Sequence, residues 1–247
     1  MKNPWTLIDD EVKEYNKRQY ENMYGSTKFV INCLKDFLHT NKKEKPQTVL
    51  DVGCSAGANL YHITREYQNI DFVGIDINNY FLESAKKKYS ELGVKNATFK
   101  HTGFDEYNIK HDIIGSSQVL ESLMFDDAQK FMNYCFDNAK IGVYFLALFS
   151  EKELDYEIYI HDYLYDPPKK VPYCIYSLPK LIQLANTKGF ELVKGEDYNI
   201  DFDIPNNFKG RGTYTRKGIN GERMQFSDVL YMPWKFLFFK KCEQETK

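Results

Sequence analysis

Two aspartates, Asp51 and Asp76, stand at the ends of two short apolar segments, and a turn of small residues follows the first segment. That segment, residues 48–52, leads into a turn that contains Gly53 and Gly57. If both segments are parallel strands, their carboxyl ends meet at one edge of a sheet. Two carboxylates around a glycine turn at that edge predict a pocket for an adenosine-type ligand.

These residues lie in a part of the chain where apolar segments alternate with helix patterns. The alternation predicts an α/β fold built on a mostly parallel sheet with helices on both faces. The seven expected strands cover residues 49–52, 72–75, 97–101, 112–115, 143–149, 190–193 and 230–240. The expected helical regions cover residues 9–39, 58–67, 81–92, 126–138 and 177–189. Asp126 and Ser177 are expected to cap the last two helices, and Ser26 or Thr27 is expected to cap a second helix within the first region.

We expect a single domain over residues 1–247, because the sequence contains no internal repeat, linker or low-complexity tract. Residues 1–45 would form a helical cap over the sheet. Residues 150–176 and 200–228 interrupt the alternation and are expected to be insertions on the substrate side. Substrate residues in this fold class commonly come from such segments near the carboxyl ends of the strands.

Composition excludes several function classes. The chain of 247 residues carries a net charge of −2, which gives no electrostatic argument for nucleic acid or a membrane surface as partner. Its five cysteines are widely spaced and form no CxxC pair, so neither a zinc site nor a disulfide framework is indicated. Reduced cysteines and a polar start without a signal-peptide pattern predict a cytoplasmic location.

Four segments, taken in order, resemble motifs of class I S-adenosylmethionine (SAM)-dependent methyltransferases. They are residues 49–57, 73–78 and 112–121, and the Gly189-Phe190 step into a late strand. The resemblance implies a Rossmann-like seven-stranded fold, SAM as the methyl donor and S-adenosylhomocysteine (SAH) as the product. The general architecture is also similar to bacterial small-molecule methyltransferases, including those of cell-surface polysaccharide biosynthesis. The C-terminal basic hairpin, followed by Tyr231-Met232-Pro233-Trp234, resembles enzymes of the capsular phosphoramidate pathway.

The resemblance implies a set of cofactor contacts. Asp76 would accept hydrogen bonds from both ribose hydroxyls, and Asp51 would organise the turn that holds the methionine end. The helix after Gly57 would offer its N–H groups to the methionine carboxylate, and Ile77 would pack on adenine. The residues expected at the cofactor are Asp51, Gly53, Cys54, Gly57, Asp76, Ile77, Gly103, Phe104, Ser116, Ser117 and Tyr24.

Two points stay open at this site. An acid that commonly contacts the adenine amine is displaced here to Asp105, so the residue that reads adenine is undecided. A nicotinamide-binding fold would need GxGxxG directly after the first strand, and residues 53–57 do not supply it. The sequence therefore favours a methyltransferase over a dehydrogenase, with a binding-only domain as a further alternative.

Candidate residues for the methyl acceptor come from segments outside the motifs and from the end of the motif at residues 112–121. Tyr20 lies on the N-terminal helices, which close over SAM in similar enzymes, although a tyrosine there can also simply pack. His161 and Glu121 are the candidate catalytic bases, because either side chain can take a proton from a hydroxyl. A surface ion pair of His161 with its neighbouring aspartate and a structural role for Glu121 are the alternatives. Gln118 could orient a substrate hydroxyl.

Residues 209–223 carry five basic side chains and one acid in a nearly neutral chain. Asn220-Gly221 predicts a hairpin turn within this segment, and arginine on a hairpin suits phosphate or carboxylate oxygens. The expected substrate contacts are Arg211, Tyr214 and Arg216 on this hairpin, together with Tyr20 and Gln118. Tyr20, His161 and Arg211 are expected to wall one closed pocket. An exposed basic hairpin without a ligand is the alternative.

We therefore expect SAM-dependent methyl transfer to an oxygen, in preference to a nitrogen, of a small anionic metabolite. A sugar or a phosphorylated or phosphoramidate precursor of surface polysaccharide would fit. RNA or protein methylation and SAM binding without turnover are the alternatives. The sequence contains no metal-ligand cluster, and we expect neither a nucleic-acid nor a membrane partner. The assembly is expected to be a monomer or a homodimer.

Overall fold

Helices and strands alternate in the computed structural model, which describes residues 10–40, 45–164, 168–200, 202–207 and 212–243. The helices are α1 (Asp10–Glu21), α2 (Gly25–Thr40), α3 (Ala58–Glu66), α4 (Asn79–Glu91), α5 (Phe125–Asn138) and α6 (Leu178–Thr187). The strands are β1 (Thr48–Val52), β2 (Asp71–Asp76), β3 (Ala97–His101), β4 (His111–Ser117), β5 (Ala139–Ser150), β6 (Tyr156–Asp162), β7 (Lys169–Ser177), β8 (Phe190–Asp197), β9 (Thr213–Lys217), β10 (Arg223–Ser227), β11 (Leu230–Tyr231) and β12 (Trp234–Lys241). None of the helices in these ranges combines the length and apolar character needed to cross a bilayer.

Seven strands form the central sheet in the order β3–β2–β1–β4–β5–β12–β8, which confirms the predicted architecture. The five strands β3, β2, β1, β4 and β5 run parallel to one another. Strand β12 runs antiparallel to β5 and β8. The strand order reverses between β1 and β4, so the carboxyl ends of these strands open the crevice where sheets of this kind bind ligands.

Apolar side chains on both faces of the sheet hold it between two helical layers. β5 is buried from Val143 to Phe149 and supplies side chains to both faces, as a continuous apolar run predicts. One face packs against α5 and α6 through side chains such as Phe131 and Leu181. The other packs against α2, α3 and α4 through side chains such as Leu60. The strand ends are therefore fixed by packing on both sides.

The expected insertion at residues 150–176 is an antiparallel hairpin, β6–β7. The last residues of β5 pair with β7, so the hairpin extends the central sheet at its carboxyl edge to nine strands. One face of the hairpin places Ile158 and Ile160 against a small core that contains Tyr173 and Trp234. The sequence shows no clean alternation here because both faces of the hairpin carry aromatic or apolar residues.

The predicted strand over residues 230–240 is present from Trp234 onward as β12, and Pro233 separates it from the short strand β11. Proline has no N–H for a sheet ladder, and the Pro233 carbonyl instead accepts a hydrogen bond from Phe149 N. Strand β11 joins β9 and β10 in a separate three-stranded sheet. The predicted hairpin at Asn220-Gly221 is present as the β9–β10 pair.

Two predicted helix caps are wrong and one is confirmed. α5 begins with Met124 at its N-cap. Asp126 lies within the first turn, where its negative charge interacts favourably with the positive end of the helix dipole. α2 begins at Gly25, so Ser26 and Thr27 lie inside the helix. Ser177 caps α6 as predicted, because its Oγ accepts a hydrogen bond from Lys180 N at 3.3 Å.

Candidate functional site

A cavity of about 280 Å³ lies at the carboxyl ends of β1, β2 and β4, where the strand order predicts a ligand site. Six residues named from the sequence line it: Gly53, Asp76, Ile77, Gly103, Phe104 and Gln118. The other lining residues are Val52, Ser55, Ile75, Phe81, Thr102, Val119, Ser122 and Leu123. Sequence reasoning did not name these eight as contacts. Four of them lie within the motif segments as apolar or turn residues, and Phe81, Thr102, Ser122 and Leu123 lie outside those segments.

The turn after β1 holds its shape through positive backbone φ angles and short hydrogen bonds. Gly53 has φ +76°, and a Cβ there would lie 2.3 Å from a methyl group of Val119, so only glycine fits. Gly53 N donates to Ile75 O at 2.8 Å, which ties the turn to β2. Gly57 is the N-cap of α3 and gives it no side-chain cap. The first N–H groups of α3 can therefore donate hydrogen bonds to an anionic ligand group.

Asp76 joins the two strand ends that carry the motif. Its Oδ2 accepts a hydrogen bond from Ser55 N at 2.8 Å, and its Oδ1 accepts one from Asn78 N at 2.8 Å. A carboxylate has about four acceptor positions, so acceptor capacity remains on the cavity side. Burial raises the pKa of Asp76, while the backbone N–H donors oppose that shift.

Asp51 lies behind the turn, on the face of the sheet that packs against α2, α3 and α4. Strand alternation places it opposite the cavity-lining Val52, and its exposure is only 6%. The Tyr144 ring covers the glycine that pairs with it, because a Cβ on Gly115 would lie 1.9 Å from that ring. Burial, with the charge of Asp76 adding to it, raises the pKa of Asp51 to about 7.

Cys54 also points away from the cavity. A Cβ on Gly74 would lie 2.7 Å from its Sγ, so the thiol packs between β1 and β2. Burial raises the pKa of this thiol, and the neighbouring carboxylates of Asp51 and Asp76 add to the shift. The predicted contact of Cys54 with a cofactor can therefore involve its backbone but not its side chain.

The adenine side of the predicted site is an apolar wall with an acid at its rim. Phe104 packs on Phe131 and Tyr134 with ring centroids 5.2 and 5.7 Å apart. A Cβ on Gly103 would lie 2.4 Å from Asp105 Oδ1, so the displaced acid folds back over this glycine. Asp105 thereby lies beside the cavity-lining Gly103, although it does not itself line the cavity.

The end of β4 brings polar groups to the same edge. Gln118 has φ +61°, a conformation that costs a non-glycine residue about 1–2 kcal/mol. Ser116 is 2% exposed, and its Oγ has no hydrogen-bond partner among the residues that the structure describes. It lies on the same sheet face as Val52, on the neighbouring strand β4. Strain and an unsatisfied buried hydroxyl at one strand end indicate a site for a polar ligand.

Tyr20 on α1 packs behind the turn. Its hydroxyl donates to Ala56 O, and its ring lies 5.6 Å from Tyr61. Tyr20 lines a second cavity of about 370 Å³ between α1 and α4, and Phe81 is shared by both cavities. Tyr24 is half-buried between α1 and α2 and lines neither cavity.

The two predicted bases do not line the cavity. Glu121 lies in the 3₁₀ helix Leu120–Ser122, between two cavity-lining residues, but its charge affects Cys174 on β7. Burial raises the pKa of Cys174 there, and the charge of Glu121 contributes to the shift. His161 is exposed on β6, four residues beyond Glu157, which accepts a hydrogen bond from Phe125 N at the start of α5. At about 3.3 Å per residue, His161 therefore lies about 13 Å from Glu157 along β6.

The predicted basic hairpin forms β9 and β10 of the separate sheet. Tyr214 donates its hydroxyl to Asp228 O at 2.6 Å, and Arg216 lies 5.1 Å from the Tyr214 ring. Arg211 lies outside the described residues. Tyr20 and His161, two of the three residues expected to wall one pocket, share no contact in the ranges that the structure describes.

Comparison with known proteins agrees with this geometry. The family model for a methyltransferase domain matches residues 43–177, more than half of the chain. The matched range begins before β1 and ends with β7. It includes the turn after β1, the β2 and β4 ends and the 3₁₀ helix.

Two curated proteins are similar over most of the chain. Carboxy-S-adenosyl-L-methionine synthase of Nautilia profundicola is 27% identical over 184 residues, which are 68% of this chain and 74% of that protein. Malonyl-[acyl-carrier protein] O-methyltransferase 1 of Ilyobacter polytropus is 23% identical over 186 residues, which are 74% of this chain and 67% of that protein.

Solved structures share the fold at low sequence identity. Magnesium protoporphyrin IX methyltransferase from Synechocystis PCC 6803, with bound SAH, has a TM-score of 0.61 at 13% identity and covers 94% of this chain and 95% of its own. A SAM-dependent methyltransferase from Clostridium acetobutylicum has a TM-score of 0.55 at 12% identity, with coverages of 91% and 92%.

Proposed function

Because the chain belongs to the methyltransferase domain family, we propose that it transfers a methyl group from SAM to an anionic oxygen of a small metabolite. The family assignment confirms the predicted enzyme class, a SAM-dependent methyltransferase. The identity of the acceptor is the part that is proposed. Its support comes from the residues that line the cavity and from the chemistry of one relative.

The described residues fit SAM as the methyl donor. Asp76 keeps acceptor positions for ribose hydroxyls, and the N-terminus of α3 offers N–H groups to the methionine carboxylate. Ile77 and Phe104 would hold adenine, with Asp105 at its rim. Ser116, at the end of β4, has an Oγ without a hydrogen-bond partner among the described residues, and a polar ligand group could bond to it. When bound, SAM supplies a sulfonium methyl group that is open to attack by a nucleophile.

One observation carries the proposed acceptor class: Asp76 is the only ionisable side chain among the described residues that line the cavity. Asp76 already accepts two backbone hydrogen bonds there. A neutral hydroxyl would need a base close to the methyl group, whereas a carboxylate or phosphate oxygen is already a nucleophile. The chain would then mainly align its substrates, and alignment alone can supply much of the rate.

Two further observations agree with an anionic oxygen. The Ilyobacter polytropus relative is named as an O-methyltransferase of a malonyl group, which is an acid. Arg216 is exposed on the β9–β10 hairpin and has a guanidinium that can pair with carboxylate or phosphate. The narrower choice of a sugar or phosphorylated precursor of surface polysaccharide rests on the sequence resemblance alone.

The experiment measures SAH formation with matched acceptor pairs, such as a dicarboxylate with its diester and a sugar phosphate with its sugar. Turnover is expected with the anionic member of at least one pair and not with its neutral partner. Arg216→Gln is expected to raise KM for that acceptor with little change in kcat. Arg223→Gln, on the opposite strand, is the matched control because its guanidinium pairs with Asp203. Faster turnover of neutral alcohols or amines contradicts the proposal.

Gln118→Gly separates backbone strain from substrate positioning. Glycine adopts positive φ at little cost, so the free energy of unfolding in urea is expected to rise by about 1 kcal/mol. The lost side chain is expected to lower kcat about tenfold, because it lines the cavity. Asp228→Gly relieves a similar φ of +53° away from the cavity and is expected to leave kcat unchanged. Equal loss of kcat in both variants contradicts a positioning role for Gln118.

A further inference from the structure

Strand β6 is an edge of the extended sheet and pairs on one side only. All seven of its residues, Tyr156–Asp162, are in register with β7. Among the described residues, no backbone hydrogen bond from another element reaches its outer side. An open edge presents a row of N–H and C=O groups that another strand can pair with.

The surface around this edge is unusually apolar. Five of the sixteen large apolar residues that are exposed in the described ranges fall within residues 154–164. They are Leu154, Tyr156, Tyr159, Tyr163 and Leu164. Soluble proteins commonly protect an edge strand with charge or proline or cover it. β6 carries the charges of Glu157 and Asp162 among exposed aromatic rings. The edge therefore presents both polar pairing groups and an apolar surface that a second strand can cover.

The sequence of β6 is self-complementary when two copies pair antiparallel about Tyr159. In that register Tyr159 faces Tyr159 of the second copy, Ile158 faces Ile160, and Glu157 faces His161. The two-fold axis repeats each unlike pair, so an acid lies opposite a histidine twice. Within residues 157–161 apolar residues lie opposite apolar residues, and both kinds of pair stabilise antiparallel strands. The end residues Tyr156 and Asp162 face each other.

Neighbouring registers lose the acid–histidine pair. With the two-fold axis at Ile160, His161 would face Tyr159 of the second copy. With the axis at Ile158, Glu157 would face Tyr159. Directly opposite residues share a face of the sheet, so all three registers keep Ile158 and Ile160 on the side of the small Trp234 core in both copies. The Tyr159 register is thus favoured by charge.

We propose that a second copy of this chain covers the β6 edge, through antiparallel β6–β6 pairing about a two-fold axis at Tyr159. The two extended sheets then form one continuous sheet across the dimer. β7, the inner neighbour of β6, is tied to the cavity wall because Tyr176 Oη donates to Leu123 O at 2.6 Å. Pairing at β6 therefore fixes a hairpin that borders each active site. This proposal does not depend on the identity of the acceptor.

Disulfide trapping at the axis tests the register. In either kind of antiparallel pair, facing Cα atoms lie about 4.5–5.5 Å apart, within the range that a disulfide spans. Tyr159→Cys, made in a Cys242→Ser background because Cys242 is the exposed cysteine, is expected to form a covalent dimer under mild oxidation. Val229→Cys is the matched control, because Val229 is 79% exposed and lies away from β6. Equal cross-linking of both variants overturns the proposal, and so does the absence of cross-linking in Tyr159→Cys.

Sedimentation of the full-length chain tests the charge pairs. His161→Glu sets two like-charged pairs in place of two attractive ones and is expected to weaken the dimer at least about tenfold. Mixing it with Glu157→Lys is expected to restore a heterodimer, because each Glu then faces a basic residue. A wild-type chain that stays monomeric up to about 0.1 mM overturns the proposal. So does a dimer that His161→Glu leaves unchanged. Melting curves confirm that each variant folds, and the cysteine test remains decisive if Glu157→Lys does not.

Discussion

Replacing Asp76 with alanine is expected to weaken the binding of SAH at least about a hundredfold, as measured by isothermal titration. Two hydrogen bonds from ribose hydroxyls to a carboxylate would contribute about 1.5–3 kcal/mol each. The substitution also removes the acceptor for Ser55 N and Asn78 N. Both effects act in the same direction, because the turn and the ribose depend on one side chain.

Two controls separate the ligand contact from the turn. Asp71→Ala removes an exposed carboxyl at the opposite end of β2 and is expected to leave binding unchanged. The 2′-deoxy analogue of SAH is expected to bind the wild type more weakly than SAH does. In Asp76→Ala the two ligands should bind alike. A remaining preference for SAH in that variant would assign the ribose contact to another residue.

Replacing Asp51 with asparagine is expected to remove a pH dependence from the stability of the ligand-free protein. Burial and the nearby Asp76 charge raise the pKa of Asp51 from 3.8 to about 7. Between these values the folded state holds a proton that the unfolded chain has lost. The free energy of unfolding therefore decreases as pH rises from about 4 to about 7, by an amount on the order of 4 kcal/mol in total.

Urea unfolding at several pH values between 4 and 8 measures this effect. The wild type is expected to lose stability over that window relative to Asp51→Asn, and the difference should level off above pH 7. Asp71→Asn, an exposed aspartate on the adjacent strand, is the matched control and should follow the wild type. Parallel curves for wild type and Asp51→Asn would contradict a protonated, buried Asp51.

We expect the carboxyl of Asp51 also to couple SAM binding to proton release. Asp51 is surrounded by Asp76, Cys54, Tyr89 and Tyr144, and its pKa is raised by burial first and then by the charge of Asp76. SAM is cationic at its sulfonium, so its binding favours ionised Asp51. We expect SAM affinity to rise with pH up to about 7. Titrations in buffers of different ionisation enthalpy should show protons released on binding, and fewer with SAH or with Asp51→Asn.

The cofactor half of the site could be predicted from local sequence. Gly53, Asp76 and Gln118 were named from strand ends and turns, and all three line the cavity. A strand that ends in a glycine turn places its last side chains within a few residues, so spacing alone locates them. Phe81 and Val119 were missed because they reach the cavity from a helix and a loop whose positions depend on packing.

The substrate half could not be predicted in the same way. The sequence marked His161 and Arg216 by residue type, but their distance from the cavity depends on how residues 150–176 and the C-terminal strands pair. The β6–β7 hairpin carries His161 outward along an edge strand. Pro233 diverts β11 into a separate sheet that carries Arg216.

The sequence by itself determined the strand–turn–helix unit at Asp51 and Gly57, the acid at the end of β2 and the order of alternating elements. Those features follow from periodicity and backbone preference, which act over a few residues. Only the tertiary structure decided which face Asp51 takes, that Asp105 folds over Gly103, and where the β6 edge lies open. Each depends on contacts between residues that are distant in the chain or on opposite sheet faces, and such contacts are set by packing.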